Sequence, residues 1–68
     1  MAKVAVSTEV LKGITAVRDS GLTNMLDRPA VARLAEEMGY VEAASWVQTH
    51  RKEYAEGVFC GFDGRQDV

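Results

Sequence analysis

Apolar residues recur at the spacing of an α-helix along most of this chain, and this period constrains the fold more than any other feature. Residues three and four apart share one face of a helix. Three segments show this spacing: Val10, Ile14 and Val17; Val31, Leu34, Ala35 and Met38; Tyr40, Ala43, Ala44, Val47, Tyr54 and Val58. We predict an all-α fold, a compact bundle of three helices with a short fourth helix or a C-terminal extension.

Residues that start and stop helices separate these segments. Ser7 or Thr8 can cap the first helix, and Gly21 suits the left-handed residue that commonly follows a helix. Pro29 fits the first turn of the second helix, and Gly39 ends that helix. The sequence therefore predicts a connector between the first two helices and a short turn after the second.

The third segment is long for so small a core. We predict that residues 41–59 break or bend near residues 49–52 and form two helices, with one continuous helix as the alternative. The whole chain, residues 1–68, is predicted to be a single small helical domain. Residues 1–6 and 63–68 show no helical period, so we expect them to be loose tails.

One cluster should form the core. We expect its members to be mostly buried: Val10, Ile14, Val17, Val31, Leu34, Met38, Tyr40, Val47 and Tyr54. Gly13 lies beside the first stripe, where its missing side chain lets another helix approach closely. Replacing Leu34 by alanine is expected to cost about 2–5 kcal/mol.

The size of the chain leaves little stability to spare. A single core in a domain this short rarely supplies more than about 3–5 kcal/mol, and disulfides, metals or association are the usual supplements. Cys60 is the only cysteine, which excludes an internal disulfide and fits a reducing compartment. We therefore expect a cytoplasmic protein without a membrane span, supported by a partner or by a homodimer.

Charge argues against nucleic acid as a partner. The net charge is −2, and the second half of the chain is acidic. Residues 31–50 suggest a helix-turn-helix, but the outward positions of the second helix would be Glu42, Ser45, Gln48 and Thr49, without a base. Because phosphate neutralisation by Lys and Arg dominates affinity for DNA, a helical hairpin is the favoured interpretation.

No pattern in the chain predicts catalysis. His50 and Cys60 could act as base and nucleophile, but a cysteine of this kind is more often a small buried hydrophobe. His-x-x-Glu-Tyr lacks the second His of a zinc-protease helix. We expect no catalytic residues, no cofactor and no metal, so the protein is predicted not to be an enzyme.

A partner surface is predicted on the third helix and beyond. Trp46 either covers the edge of the core or anchors a contact, since Trp is enriched at binding hot spots. Beside it, Glu42, Glu53 and Glu56 would form an acidic band that suits a basic target surface. The alternative location is the "GLTNMLD" connector, residues 21–27, where Asn24 is expected to form a turn.

Three motifs resemble a known family. They are "VRDSGLTNMLD" (17–27), "MGY" (38–40) and "HRKEY" (50–54), followed by an aromatic-Gly ending. The chain resembles a small domain-of-unknown-function family of bacteriophage and prophage proteins over residues 10–62, with Leu26 where an aromatic residue is usual. The resemblance implies a viral setting in the cytoplasm of a bacterial host, and it assigns no role to any residue.

These features favour one function and leave one alternative. We expect a non-enzymatic, phage-encoded interaction protein that binds a host protein complex. Examples are an inhibitor of a bacterial defence system (anti-CRISPR-like) or of a nucleic-acid-handling complex. The alternative is a small helix-turn-helix-like DNA-binding regulator, and a structural accessory of the phage is a weaker third.

Overall fold

Four helices and two short strands make up residues 3–65, the part of the chain that this computed structural model describes. The elements in chain order are β1 (Val4–Ser7), α1 (Thr8–Ser20), α2 (Arg28–Glu37), α3 (Val41–Thr49), α4 (Arg51–Cys60) and β2 (Phe62–Arg65). The fold is therefore mainly helical, as predicted, but it is not purely α.

The first helix has the ends that the sequence predicts. The Ser7 side chain accepts a hydrogen bond from the backbone N–H of Val10 at 3.3 Å, which satisfies one of the free donors of the first turn. Gly21 follows the helix with φ +65°, a left-handed conformation that glycine adopts without a Cβ clash. Both boundary predictions for α1 are confirmed.

The predicted break in the third segment is also confirmed. The backbone N–H of His50 donates to the carbonyl of Trp46 at 2.8 Å and closes α3. His50 itself leaves the helical region, with φ −117° and ψ 59°. Its carbonyl then accepts the backbone N–H of Tyr54 at 2.8 Å, which starts α4. Two short helices thus replace the single long one, and both can pack on a small core.

The two strands correct the prediction of an all-α fold with loose tails. β1 and β2 pair in parallel, from Val4 opposite Phe62 to Ser7 opposite Arg65. Residues 4–6 and 63–65 therefore belong to a sheet and Lys3 precedes it, whereas the predicted tail residues 1–2 and 66–68 lie outside the described residues. The helical period could not indicate this pair, because each strand has only four residues and its partner is at the other end of the chain.

The core is one cluster between the helices and β1. Its buried apolar members are Val6, Val10, Ile14, Val17, Val31, Ala32, Ala35, Ala43, Ala44, Val47 and Tyr54. Most of the predicted core residues are confirmed here, while Leu34 and Tyr40 are half-buried against the cluster. Met38 was wrongly predicted: it is 42% exposed, because α2 ends at Glu37 and Met38 lies in the turn that follows.

Small residues let the helices approach one another closely. Four alanines of α2 and α3 are buried in the core. Gly13 of α1 is buried as well, and a Cβ built on it would overlap the Cβ of Ala43 and lie 2.8 Å from the Cβ of Tyr40. The close approach inferred for Gly13 is confirmed, and its neighbours are α3 and the turn before it.

Candidate interaction surface

The connector between α1 and α2, residues 21–27, presents large apolar side chains to solvent. Leu22 is 72% exposed and Leu26 is 59% exposed. Between them, Met25 is half-buried and packs against the core cluster. The connector therefore combines one inward-facing apolar side chain with two outward-facing ones.

Side-chain hydrogen bonds hold the first half of the connector to α1. The Ser20 hydroxyl donates to the carbonyl of Val17 at 2.6 Å. The same hydroxyl oxygen accepts the backbone N–H of Leu22 at 3.2 Å. The chain that leaves α1 is thus fixed at the residue that carries the first exposed leucine.

The second half of the connector is built around Asn24. Its side-chain oxygen accepts the backbone N–H of Leu26 at 2.9 Å, and its carbonyl accepts that of Asp27 at 2.9 Å. Asp27 then caps α2 by accepting from the backbone N–H of Ala30 at 3.4 Å. The predicted turn at Asn24 is confirmed, and the mechanism is the side-chain mimic of a backbone turn.

Tyr54 ties the connector to α4. Its hydroxyl donates to the carbonyl of Met25 at 2.5 Å, across 29 positions in the chain. The Tyr54 ring is buried in the core, and burial raises the pKa of the hydroxyl from 10.0 to about 12. Two of the motifs that carry the family resemblance, at residues 17–27 and 50–54, therefore meet at this hydrogen bond.

The raised pKa makes a prediction about alkaline stability. The folded protein holds the Tyr54 proton more tightly than the unfolded chain, so this contribution to the free energy of unfolding is complete below pH 10. It should be lost as the pH rises from 10.0 to about 12. Urea unfolding at several pH values should show the loss, and Tyr54→Phe should remove this part of the pH dependence. An unchanged slope in Tyr54→Phe would contradict the assignment.

A cleft of about 170 Å³ lies between α1 and α4 beside the connector. Its apolar lining is provided by side chains of α1, the connector, α4 and β2: Leu11, Ile14, Met25, Val58 and Phe62. Thr15 and Arg18, one helical turn apart on α1, add polar groups to the lining. This volume accommodates one apolar side chain, since a cavity of about 150 Å³ holds benzene.

Arg18 supplies a positive charge at this cleft. Its side chain is 65% exposed, and its Nε lies 3.4 Å from a carboxylate oxygen of Asp19. An exposed pair of this length is weak, because water screens it and both side chains remain mobile. The guanidinium therefore remains available to a further carboxylate.

Trp46, the predicted contact anchor, lies at the junction of α3 and β2. Its ring stacks on His50, with centroids 4.9 Å apart and 9° between the planes, and meets Phe62 edge-on at 6.0 Å. The residue is half-buried and packs against the core. The ring thus covers an edge of the core, which was one of the two interpretations of its sequence position.

The three predicted acidic residues are all exposed, on two helices. Glu42 lies one turn before Trp46 on α3, so these two side chains share a face. Glu53 and Glu56 lie one turn apart on α4. The structure thus forms two pairs, one on each side of the break at His50: Glu42 with Trp46 on α3, and Glu53 with Glu56 on α4.

Phe59 of α4 is 78% exposed and was not among the predicted contact residues. The connector was predicted only as a second location, and its leucines were not distinguished. The signal was available for both leucines, because Leu22 and Leu26 fall between two predicted helices and belong to neither apolar stripe. Phe59 directly follows Val58, and because adjacent side chains on a helix point about 100° apart, the two do not share a face.

The considered catalytic pair is separated by the length of α4. His50 precedes the helix and Cys60 ends it, about 15 Å along the axis at 1.5 Å per residue. The His50 ring instead contacts the Thr49 hydroxyl at 2.9 Å and the carbonyl of Trp46 at 3.1 Å. Among residues 3–65 no three His, Cys, Asp or Glu side chains are grouped to hold a metal, and no helix is long and apolar enough to cross a membrane.

The fold and its exposed connector define a small, mainly helical domain with a two-stranded parallel sheet. A family model described as "Domain of unknown function (DUF5049)" matches residues 6–61, and the chain belongs to this family. The match spans the four described helices and the connector, and it confirms the predicted membership of a domain-of-unknown-function family. No curated protein and no solved structure matches the chain at a significant level.

Proposed function

We propose that this protein is a non-enzymatic, phage-encoded interaction protein that binds a host protein complex. Inhibition of a bacterial defence system, in the manner of an anti-CRISPR, or of a nucleic-acid-handling complex would be the outcome of such binding. The observation that supports the proposal best is the connector, where two exposed leucines stand on a rigidly hydrogen-bonded loop.

The rigidity of the connector matters for binding. Association costs free energy when loops and side chains must be ordered, and a preorganised loop avoids much of this cost. Ser20, Asn24 and Tyr54 fix the backbone on both sides of Leu22 and Leu26. A single exposed leucine is ordinary on a protein surface. Two exposed leucines on one fixed loop, beside an apolar cleft, form an anchor for a partner.

The acidic residues complete the proposed surface. Glu42, Glu53 and Glu56 would steer a partner that is basic where it faces them, since rim charges act mainly on the association rate. Trp46 would contact the partner at its exposed edge. Because Trp46 also packs against Phe62, Trp46→Ala should lower stability as well as affinity, so folding must be measured alongside binding for this variant.

Affinity capture from bacterial lysate, with mass spectrometry of the retained proteins, is the first step of the test. The double variant Leu22→Ser, Leu26→Ser should then weaken binding of the identified partner by about 2 kcal/mol or more. Val41→Ser is the matched control, because Val41 is also exposed and apolar but lies at the start of α3. If the double variant binds the partner as tightly as Val41→Ser does, the binding surface lies elsewhere.

The acidic residues are tested with the same partner by kinetics. Glu42→Lys with Glu53→Lys should slow association, and the effect should be larger at low salt than at high salt. The dissociation rate should change less. An unchanged association rate at both salt concentrations would remove these residues from the proposed surface.

A DNA-binding regulator is the second candidate. One observation favours it: α2 and α3 are joined by three residues, 38–40, with Gly39 at φ +91°, a turn length typical of the helix-turn-helix motif. The sequence of α3 contains no Lys or Arg to neutralise phosphates. We therefore expect no sequence-specific duplex binding in a gel shift, and nanomolar affinity in physiological salt would favour this candidate instead.

A further inference from the structure

We propose that the cleft between α1 and α4 binds an apolar side chain that stands next to a carboxylate in a segment of the partner protein. This inference rests on the proposed function and gives the chemistry of the partner segment. It follows from the size of the cleft, from its apolar walls and from the single kind of charge in its lining.

The walls of the cleft select an apolar group of limited size. The apolar walls include Ile14 of α1, Val58 of α4 and Phe62 of β2. A volume of about 170 Å³ fits one branched or aromatic side chain and no more. Displacing water from such walls favours binding in proportion to the apolar area that is covered.

The α4 wall is shaped by a glycine. A Cβ on Gly57 would overlap the ring of Phe62, so the ring lies directly on the backbone of α4. The same ring contacts Tyr54 at a centroid distance of 5.9 Å and Trp46 at 6.0 Å. This packing fixes Phe62 as a wall of the cleft, and the cleft therefore exists before any partner binds.

Charge decides which group accompanies the apolar side chain. Arg18 is the charged residue in the lining, and Thr15, one turn earlier, adds a hydroxyl donor. Within the described residues the hydrogen bond to Asp19 uses Nε, and neither terminal nitrogen of the guanidinium has a partner. Two such nitrogens can bind one carboxylate in a planar, bidentate arrangement. A partner segment with an acidic residue beside its apolar one satisfies both features.

A pair of small probes tests this chemistry on the intact protein. 3-Phenylpropionate carries the apolar ring and the carboxylate, whereas 3-phenylpropylamine carries the same ring with a positive charge. In a titration followed by amide resonances, the carboxylate probe should shift the signals of Ile14, Arg18 and Val58. It should bind about fivefold more tightly than the amine, a modest factor because Arg18 is exposed and Asp19 competes for it.

Two arginine variants provide the control. Arg18→Gln should abolish the preference for the carboxylate probe, because it removes both the attraction of Arg18 for the carboxylate and its repulsion of the amine. Arg33→Gln alters an exposed arginine of α2 and should change neither affinity. Equal affinity of both probes for the native protein would overturn the assignment of a carboxylate, and the absence of saturable shifts at the cleft would overturn the site.

The remaining outcomes separate this inference from the proposed function. Capture of a partner whose binding is insensitive to Arg18→Gln and is not competed by the carboxylate probe would overturn the cleft and leave the interaction protein standing. Probe binding as described, with a captured partner that is insensitive to the connector variants, would overturn the connector as the binding surface and leave the chemistry of the cleft standing. Self-association that the probe displaces would show that a second copy occupies the cleft, which overturns the inference about a partner.

Discussion

Ile14→Ala should lower the free energy of unfolding by about 2–5 kcal/mol and leave much of the chain unfolded. Ile14 is buried in the core and also forms a wall of the cleft. Truncation to alanine removes apolar contacts and leaves a cavity that the surrounding helices fill only in part. A core of this size supplies about 3–5 kcal/mol in total, so little stability remains. Urea unfolding followed by circular dichroism measures the loss.

Leu34→Ala is the matched control for this prediction. Leu34 is half-buried on α2, so less of its surface returns to water when it is truncated. The loss should be smaller than for Ile14→Ala, and smaller than the sequence alone led us to expect. Equal losses in the two variants would contradict the observed difference in burial.

Gly13→Val should destabilise the fold by about 1–3 kcal/mol or more, although valine has the higher helix propensity of the two residues. The added Cβ would overlap the Cβ of Ala43, an atom of the main core that cannot rotate away. Relief requires α1 and α3 to separate, and this loosens the buried alanines between the helices. The midpoint of thermal unfolding reports the effect.

Lys12→Val separates the effect of the close approach at Gly13 from the effect of helix propensity. Lys12 is exposed on the same helix, next to Gly13, and its ion pair with Glu9 is an exposed pair at 3.4 Å. Its replacement should change stability by no more than about 0.5 kcal/mol. A stable Gly13→Val protein, with a midpoint at or above that of Lys12→Val, would show that α1 and α3 are not in contact at Gly13.

Local signals allowed the helices to be predicted. The Ser7 cap, the left-handed Gly21 and the proline in the first turn of α2 each act within a few residues, so the sequence around them is sufficient. The break at His50 followed from a different argument, the length of an apolar stripe relative to the core. The caps and the proline of the first turn are thus determined by residues that are close in the sequence.

The features that could not be predicted depend on residues far apart in the chain. β1 and β2 show no pattern of their own, because either strand is stable only beside the other. The hydrogen bond from Tyr54 to Met25 gives the connector its shape, and no spacing rule relates positions 29 residues apart. The prediction that Met38 is buried was wrong for a local reason, because the helical period was continued past the end of α2.

The candidate site shows the same division. The turn at Asn24 was predictable, because an asparagine side chain bonds its own backbone two residues on. That Arg18, Met25 and Val58 line one cleft was not predictable, since they come from three different segments. The role of Trp46 stayed open for a related reason: its main contacts include Phe62, in a strand that the period did not reveal.

The parallel pairing of β1 with β2 links the order of synthesis to the order of folding. β1 leaves the ribosome before the helices described for residues 3–65, but its partner strand, residues 62–65, emerges only after them. Until then the backbone groups of Val4 to Ser7 that face β2 have no strand to bond. Because β1 is stable only beside β2, a ribosome that stalls before residue 62 holds a nascent chain in which residues 4–7 have no sheet to join. Completion of the sheet thus waits for translation of residues 62–65.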